Sequence, residues 1–396
     1  MDQVPHIHFS LEEFAQRKQR ALRQMADTEL DGLLIFRQES MYWLTGYDTF
    51  GYVFFQCLYL GANGDLKLLT RMPDLRQAKF TSIIPDIRIW KDAEHANPAH
   101  DLMHMLDESG CRGKRLGVEW ESYGLTARNG RLLDETLKEF CRLQDASFLI
   151  SRLRLTKSPQ ELQYVRKAGE LADLALDEIH RTTAPGAFEG DILAALQAVI
   201  FRNDGDYPGN ENIIGSGPGA FLGRYFTGRR HLGQDDELLV EFAGVYRRYH
   251  AALMRVIRVG KPIPKQIELY QLGLDCLQAC QEASKVGRPI GDIYQAFERT
   301  LRNSSYKFDG ERDLGRPFSI GYSLGATFAP NWMDYPLLYC DNPLPIEENM
   351  VFFMHMTLRD DERGFNAVPG ETVIVTKTGV ERVSQRSLEF VIKSRA

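Results

Sequence analysis

Ser158-Pro159-Gln160-Glu161 divides this chain in two. The Ser158 hydroxyl can accept from the third backbone N–H of a helix, and Glu161 can reach back to the N–H of Ser158. Pro159 suits the first helical position, where its missing N–H would have had no partner. The amphipathic segment behind this cap runs to about residue 181, so a long helix with one apolar face opens a new domain here. A chain of 396 residues is long enough for two cores, and we read residues 1–153 and 154–396 as separate domains.

The first domain reads as α/β. Periodic apolar positions predict a helix over residues 11–25, and Gly32-Leu33-Leu34-Ile35-Phe36 is a short apolar run suited to a buried strand. Further strands are expected over 53–60, 66–69 and 115–119. Asn63-Gly64 between two of them is a hairpin signal, so the sheet should be mixed rather than wholly parallel. In the second domain a helix is expected over 189–202, then a glycine-rich loop over 205–223 and strands over 238–242 and 249–259, joined by a turn at Gly244. Helices over 266–285 and 290–303 precede Gly321-Tyr322-Ser323-Leu324-Gly325 and two last strands over 350–356 and 372–376. Helices followed by antiparallel strands give an α+β domain with helices outside a curved sheet.

The formal net charge of −6 and pI near 5.9 give no sign of a nucleic-acid or anionic-membrane partner, which would favour clustered Lys and Arg. No apolar stretch approaches the ~20 residues needed to span a bilayer. Met1-Asp2-Gln3-Val4-Pro5-His6 has neither a basic start nor an apolar core for secretion, and a cytoplasmic location is expected. The six cysteines are scattered rather than spaced as a disulfide or zinc framework. Cys276 and Cys280, four apart on an expected helix, read as reduced core residues. Gly215-Ser216-Gly217-Pro218-Gly219 lacks the Lys-Ser/Thr ending of a phosphate loop, so nucleotide binding is not expected.

Four motifs, in order, carry a family resemblance: the Lys157 to Leu162 helix start, the strand pair from Glu241 to Arg255, the Gly321 to Gly325 loop and the closing strands between Met350 and Thr376. Together they resemble the creatinase/aminopeptidase P, or pita-bread, family over essentially the whole length. The resemblance implies a creatinase-type amino-terminal α/β domain followed by a pita-bread catalytic domain. The peptidases of that family hold two metals with two Asp, one His and two Glu. Those positions fall here on Glu241, Ala252, Tyr322, His355 and Gly370 or its neighbour Glu371. One carboxylate and one imidazole cannot hold two divalent ions, so neither a metal pair nor any other cofactor is expected. A single metal on Glu241, His355 and His250 is the residual metal reading.

Within the family the chain resembles the metal-free branches, creatinase and the ectoine hydrolases. The catalytic His of the creatinase branch falls on Arg224 or a near neighbour, and the two Glu that grip its substrate's guanidinium fall on Met254 and His355. The Arg that binds the substrate carboxylate matches Arg316. The ectoine hydrolases share Trp43-Leu44-Thr45-Gly46-Tyr47-Asp48, Gln56-Cys57, the Tyr322 loop and Pro330-Asn331-Trp332 with Asp334 behind it. The segment Thr49 to Phe55 and the place of His355 depart from that branch. The resemblance therefore implies a metal-independent C–N hydrolase of a small carboxylated zwitterion, ectoine-like, that opens a cyclic amidine. Creatinase-type amidine hydrolysis, a metal-dependent Xaa-Pro peptidase activity and a catalytically inactive binding protein are the alternatives.

Amidine hydrolysis needs a base or nucleophile at the amidine carbon and a proton at the departing nitrogen, and a carboxylate serves both needs. Glu241 is the first candidate: a lone acid in Leu238-Leu239-Val240-Glu241-Phe242-Ala243 is either outward-facing or functional. His250 and His355 lie on apolar strands, as proton carriers or as hydrogen-bonded core residues. Tyr322 either donates to the leaving nitrogen or fills the space of a lost metal. Arg316 is the candidate for the substrate carboxylate, with Arg224 as a weaker one. Trp332, Trp43, Phe50 and Tyr52 can wall in a delocalised cation or belong to the core. By resemblance, the amino-terminal loop carrying Phe50 and Tyr52 reaches the active site of a second subunit, which implies a homodimer.

Overall fold

The expected capping box is formed. Ser158 Oγ accepts from the Glu161 N–H at 3.3 Å, and the Glu161 carboxylate accepts from the Ser158 N–H at 2.8 Å. In a computed structural model, which describes residues 5–224, 229–307 and 319–393, the chain forms two compact units, Met1–Arg154 and Leu155–Ala396.

The first unit contains helices α1 (Leu11–Asp27), α2 (Gln38–Thr45), α3 (Leu75–Thr81), α4 (Pro98–Glu108), α5 (Ala127–Leu137) and α6 (Leu149–Leu153). Its strands are β1 (Gly32–Ile35), β2 (Cys57–Gly61), β3 (Leu66–Arg71), β4 (Asp86–Trp90), β5 (Arg115–Val118) and β6 (Arg142–Asp145), in the order β4-β3-β2-β1-β5-β6. The sheet is mixed, as the Asn63-Gly64 signal implies: β2 and β3 are antiparallel, while β1 and β5 are parallel. Leu34 and Phe36 pack into one core with Leu102 and Leu133, and Leu33 and Ile35 into another with Met25 and Trp43. Burial on both faces explains the uninterrupted apolar run of β1. The strands that patterning does not reveal, β4 and β6, are the two edges, where charged residues are tolerated and blunt the open backbone. β2 starts only at Cys57, because residues Gly51–Val53 coil into a 3₁₀ turn.

The second unit has helices α7 (Pro159–Thr182), α8 (Glu189–Arg202), α9 (Pro264–Ala283) and α10 (Gly291–Asn303). Its strands are β7 (Ile213–Ser216), β8 (Asp236–Tyr246), β9 (Tyr249–Val259), β10 (Gly321–Ser323), β11 (Asp334–Leu337), β12 (Val351–His355), β13 (Leu358–Asp360), β14 (Phe365–Ala367), β15 (Gly370–Thr376), β16 (Gly379–Arg382) and β17 (Val391–Lys393). The main sheet runs β11-β10-β12-β15-β9-β8-β7, with β16 beside β15 and β17 beside β9; β13 and β14 pair separately. Leu176, Ile179, Ile192 and Leu196 of α7 and α8 bury against Leu238, Val240, Phe242, Leu253 and Ile257. Even-numbered residues of β8 thus face the helices, and odd-numbered ones face the other way.

The expected turn at Gly244 is corrected. β8 runs through Gly244 to Tyr246, and the chain reverses at Arg247 and Arg248, whose φ values are 48° and 68°. Asp204 pairs with Arg247 and Asp206 accepts from the Arg248 N–H, which supports this left-handed pair. Gly244 is glycine for another reason: a Cβ there would stand 2.1 Å from the Ala168 carbonyl oxygen and 2.4 Å from the Ala172 nitrogen. It lets α7 lie directly on the sheet. Cys276 and Cys280 are buried free thiols, as expected. Among the described residues no helix is long and apolar enough to cross a membrane.

Candidate active site

Register places the site on the sheet face turned away from α7 and α8. Glu241 of β8 pairs with Met254 of β9, Met254 with Gly370 of β15, and Gly370 with His355 of β12. Directly paired residues of antiparallel strands project to the same face, so Glu241, Met254, Gly370 and His355 form one row across four strands. Tyr322 of β10 pairs with Phe353, two residues before His355, and extends the same face.

The sheet closes this row on itself. Four strand intervals separate β10 from β8, about 19 Å in a flat sheet. Yet the Tyr322 hydroxyl donates to Glu241 Oε1 at 3.3 Å. Only strong curvature brings the two together. Trp332 Nε1–H in turn donates to the Tyr322 oxygen at 2.8 Å, fixing the phenol between an indole and a carboxylate. The Tyr322, Phe353 and His355 rings lie 5.3 to 5.7 Å apart, centre to centre, as an aromatic wall.

Electrostatics follow from this burial. Glu241 is pushed up to about 7, chiefly because its charge is withdrawn from water; the Tyr322 hydrogen bond and the Arg224 charge pull it down. Tyr322 is held well above the usual phenol range, by burial first and the Glu241 charge second, and stays protonated. Burial lowers His355 to about 4, so its imidazole is neutral around pH 7. Its Nδ1 lies 3.3 Å from Thr357 Oγ1. Neither Oε2 of Glu241 nor Nε2 of His355 has a hydrogen-bond partner among the described residues.

The other candidates are placed differently. His250 is buried, with Nε2 accepting from the Gly209 N–H at 2.8 Å. Its Nδ1 stands 2.8 Å from the Arg248 carbonyl oxygen and 3.1 Å from Thr327 Oγ1. Both nitrogens are occupied, and burial lowers the ring to about 4, so His250 ties loops together and has no free position from which to move a proton. Glu371 is fully buried on the opposite face, bound by Arg255 and by Arg382. That removes it as the alternative to Gly370. Arg224 is exposed and acts on Glu241 through its charge. Arg316 lies outside the described residues. In the amino-terminal unit Trp43 belongs to the core and Tyr52 is buried, whereas Phe50 is 72 % exposed.

Sequence reasoning marked Gly370 only as the place of a lost ligand, and it missed Asn212 and Arg359. Gly370 leaves room where a Cβ would stand 2.7 Å from that of Met254 and 3.1 Å from the Phe353 ring. Asn212 stands just before Ile213, which pairs with Glu241, and among the described residues neither polar atom of its buried amide has a partner. Arg359 lies on β13, four residues beyond His355. Only the last left a signal: His355, Thr357 and Arg359 are polar at every second position between apolar Met356 and Leu358.

The donors do not fit a dinuclear metal centre. The row offers one carboxylate and one imidazole, Ala252 carries no ligand atom, and among the described residues no three His, Cys, Asp or Glu side chains converge to hold an ion.

Comparison with known proteins agrees with this architecture. Residues 163–377 match the model of metallopeptidase family M24, and residues 17–156 that of the creatinase/prolidase N-terminal domain. Among curated relatives, the ectoine hydrolase of Halomonas elongata is 25 % identical, over 98 % of this chain and 99 % of its own. The Xaa-Pro dipeptidase of Pyrococcus furiosus is 21 % identical, over 95 % and 99 %. The crystal structure of X-Pro aminopeptidase from Thermotoga maritima superposes with a TM-score of 0.80 at 17 % identity, covering 95 % of this chain and 99 % of that one.

Proposed function

Since the chain belongs to metallopeptidase family M24, a family of hydrolases, yet brings one carboxylate and one imidazole to the sheet row, we propose that it hydrolyses a C–N bond without a metal pair. The substrate is a small zwitterion carrying a carboxylate and an amidine or related cationic nitrogen group, with ectoine first among them. The observation that carries this reading is the Glu241 carboxylate, held at Oε1 by Tyr322 and open at Oε2. The resemblance to the Halomonas elongata ectoine hydrolase supports the substrate class.

In this mechanism Oε2 of Glu241 takes a proton from a water whose oxygen adds to the amidine carbon. A tetrahedral adduct forms. The proton is then delivered to one ring nitrogen, the bond from that nitrogen to the former amidine carbon breaks, and an amide and an amine remain. Neutral His355 can relay the proton through its open nitrogen. Tyr322 stays protonated and orients Glu241, while Trp332 fixes Tyr322 and His250 holds the surrounding loops as a positioning residue. Arg316 remains the candidate that sequence resemblance offers for the carboxylate, with Arg224 as the weaker one. No cofactor takes part.

We also infer a cytoplasmic homodimer in which the loop around Phe50 and Tyr52 approaches the partner's site. Supporting this, Phe50, Val53 and Phe54 leave three large apolar side chains exposed within five residues.

The test is turnover followed by NMR on chelator-treated protein with ectoine, hydroxyectoine, creatine and a proline dipeptide. Ectoine turnover should survive chelation and fall about 10³-fold in Glu241→Ala, the scale of a lost general base. Proline-dipeptide cleavage that appears only on adding Mn, Fe or Zn would overturn the proposal in favour of the peptidase reading. The resemblance to Xaa-Pro dipeptidases makes that arm necessary.

A further inference from the structure

We infer that Arg359 anchors the substrate carboxylate. The inference rests on the zwitterion reading above and extends it to a residue that the family positions do not mark.

Burial alternates strictly from Met354 to Asp360: Met354, Met356, Leu358 and Asp360 are buried, while His355, Thr357 and Arg359 are half-buried. Arg359 lies on β13, four residues beyond His355 at the end of β12; residues 356–357 separate the two strands, with the Leu358 N–H bonding back to the Met356 carbonyl oxygen. On the paired strand its partner is Asn366, whose amide donates to the Ala220 carbonyl oxygen, so this face meets the loop that begins at residue 217. Further along that loop, Arg359 Nη2 is 3.6 Å from where a side chain on Gly223 would begin. The next residue is Arg224, whose charge reaches Glu241. Arg359 thus faces the loop that carries a charge felt at the catalytic carboxylate.

The group is also unsatisfied. Among the described residues Arg359 Nε is buried without a hydrogen-bond partner and the guanidinium forms no ion pair. Ordinary neutralisation was at hand, since Glu237 bonds Asn366, the strand partner of Arg359. Glu237 instead accepts from Asn366 and from Gln266. A half-buried arginine with an unpaired fork, facing the loop that carries Arg224, is suited to a bidentate carboxylate from outside the chain. With Glu241 on the amidinium and Arg359 on the carboxylate, the two ends of a zwitterion would be read by opposite charges.

The probes are ectoine and its carboxamide, which differ in the charge of one group. Binding is measured by calorimetry on Glu241→Gln and turnover on the enzyme with Glu241 intact, each with Arg359, Arg359→Met, Arg359→Lys or Arg316→Met. The expected result is that Arg359→Met weakens ectoine about 100-fold, as for truncation of one partner in a desolvated charge pair. The carboxamide should change less than about threefold, a loss confined to the charge pair. Arg359→Lys should restore part of the discrimination and, with thermal melts, separate a charge effect from misfolding. Equal losses on both probes, or discrimination that survives Arg359→Met and disappears in Arg316→Met, would overturn the inference. If the protein discriminates the probes through Arg359 but turns over neither, the anchor stands and the proposed reaction fails. If it binds neither probe, both fail.

Discussion

At the residue scale, the proposed chemistry rests on how burial shifts the ionisation of three groups. Glu241 is raised to about 7, His355 is lowered to about 4 and Tyr322 is held protonated, so near neutral pH the site contains a carboxyl group poised to ionise beside two neutral partners. A base works only when ionised. Activity should therefore fall as pH drops through about 7, the value set for Glu241, with no further limb from His355 until near 4. This limb belongs to kcat/KM, which reports the free enzyme. In kcat it should lie lower, because a bound amidinium favours the charged carboxylate. Tyr322→Phe removes the hydrogen bond that steadies that charge, and the kcat/KM limb should move up by about one unit. An unchanged limb in a pH–rate profile would show that Tyr322 does not act on Glu241. Glu241 itself was legible as a lone acid in an apolar strand. The engagement of both His250 nitrogens was not, because the Nε2 partner Gly209 and the Nδ1 neighbour Thr327 come from loops 41 and 77 residues away, which no pattern local to the strand records.

At the element scale, periodicity located the long helices and central strands because each exposes one face to a core and patterns itself accordingly. The Ser158 capping box was readable for a similar reason: all its bonds close within four residues. Gly244 shows the opposite case. A glycine between two expected strands reads as a turn, but its role is set by α7, about 75 residues earlier, pressing on β8. Gly244→Ala should drive a methyl group into the Ala168 carbonyl and lower stability by about 1–3 kcal/mol, the usual cost of overpacking. Denaturant unfolding would measure it. A variant as stable as the parent would mean that α7 can lift from the sheet without loss.

At the scale of the whole molecule, the amino-terminal unit exposes Phe50, Val53 and Phe54, an apolar patch that a solvated monomer gains nothing by keeping. The parent protein should sediment as a dimer, and Phe50→Ser with Phe54→Ser should shift it toward monomer at micromolar concentration and reduce ectoine turnover with it. Dissociation without loss of turnover would separate the dimer from the active site. The sequence by itself determined the two-domain division, the mixed and α+β sheets and the absence of a paired-metal ligand set, because these follow from local periodicity, capping and residue identity. Tertiary structure alone decided which candidates meet. Curvature carries Tyr322 across four strand intervals to Glu241, register aligns His355 with Gly370, and strand pairing turns Glu371 away toward Arg255. The physical reason is range: a pattern in the chain reports a residue's immediate neighbours and its exposure, whereas a site is assembled by sheet closure between strands that lie about 80 residues or more apart.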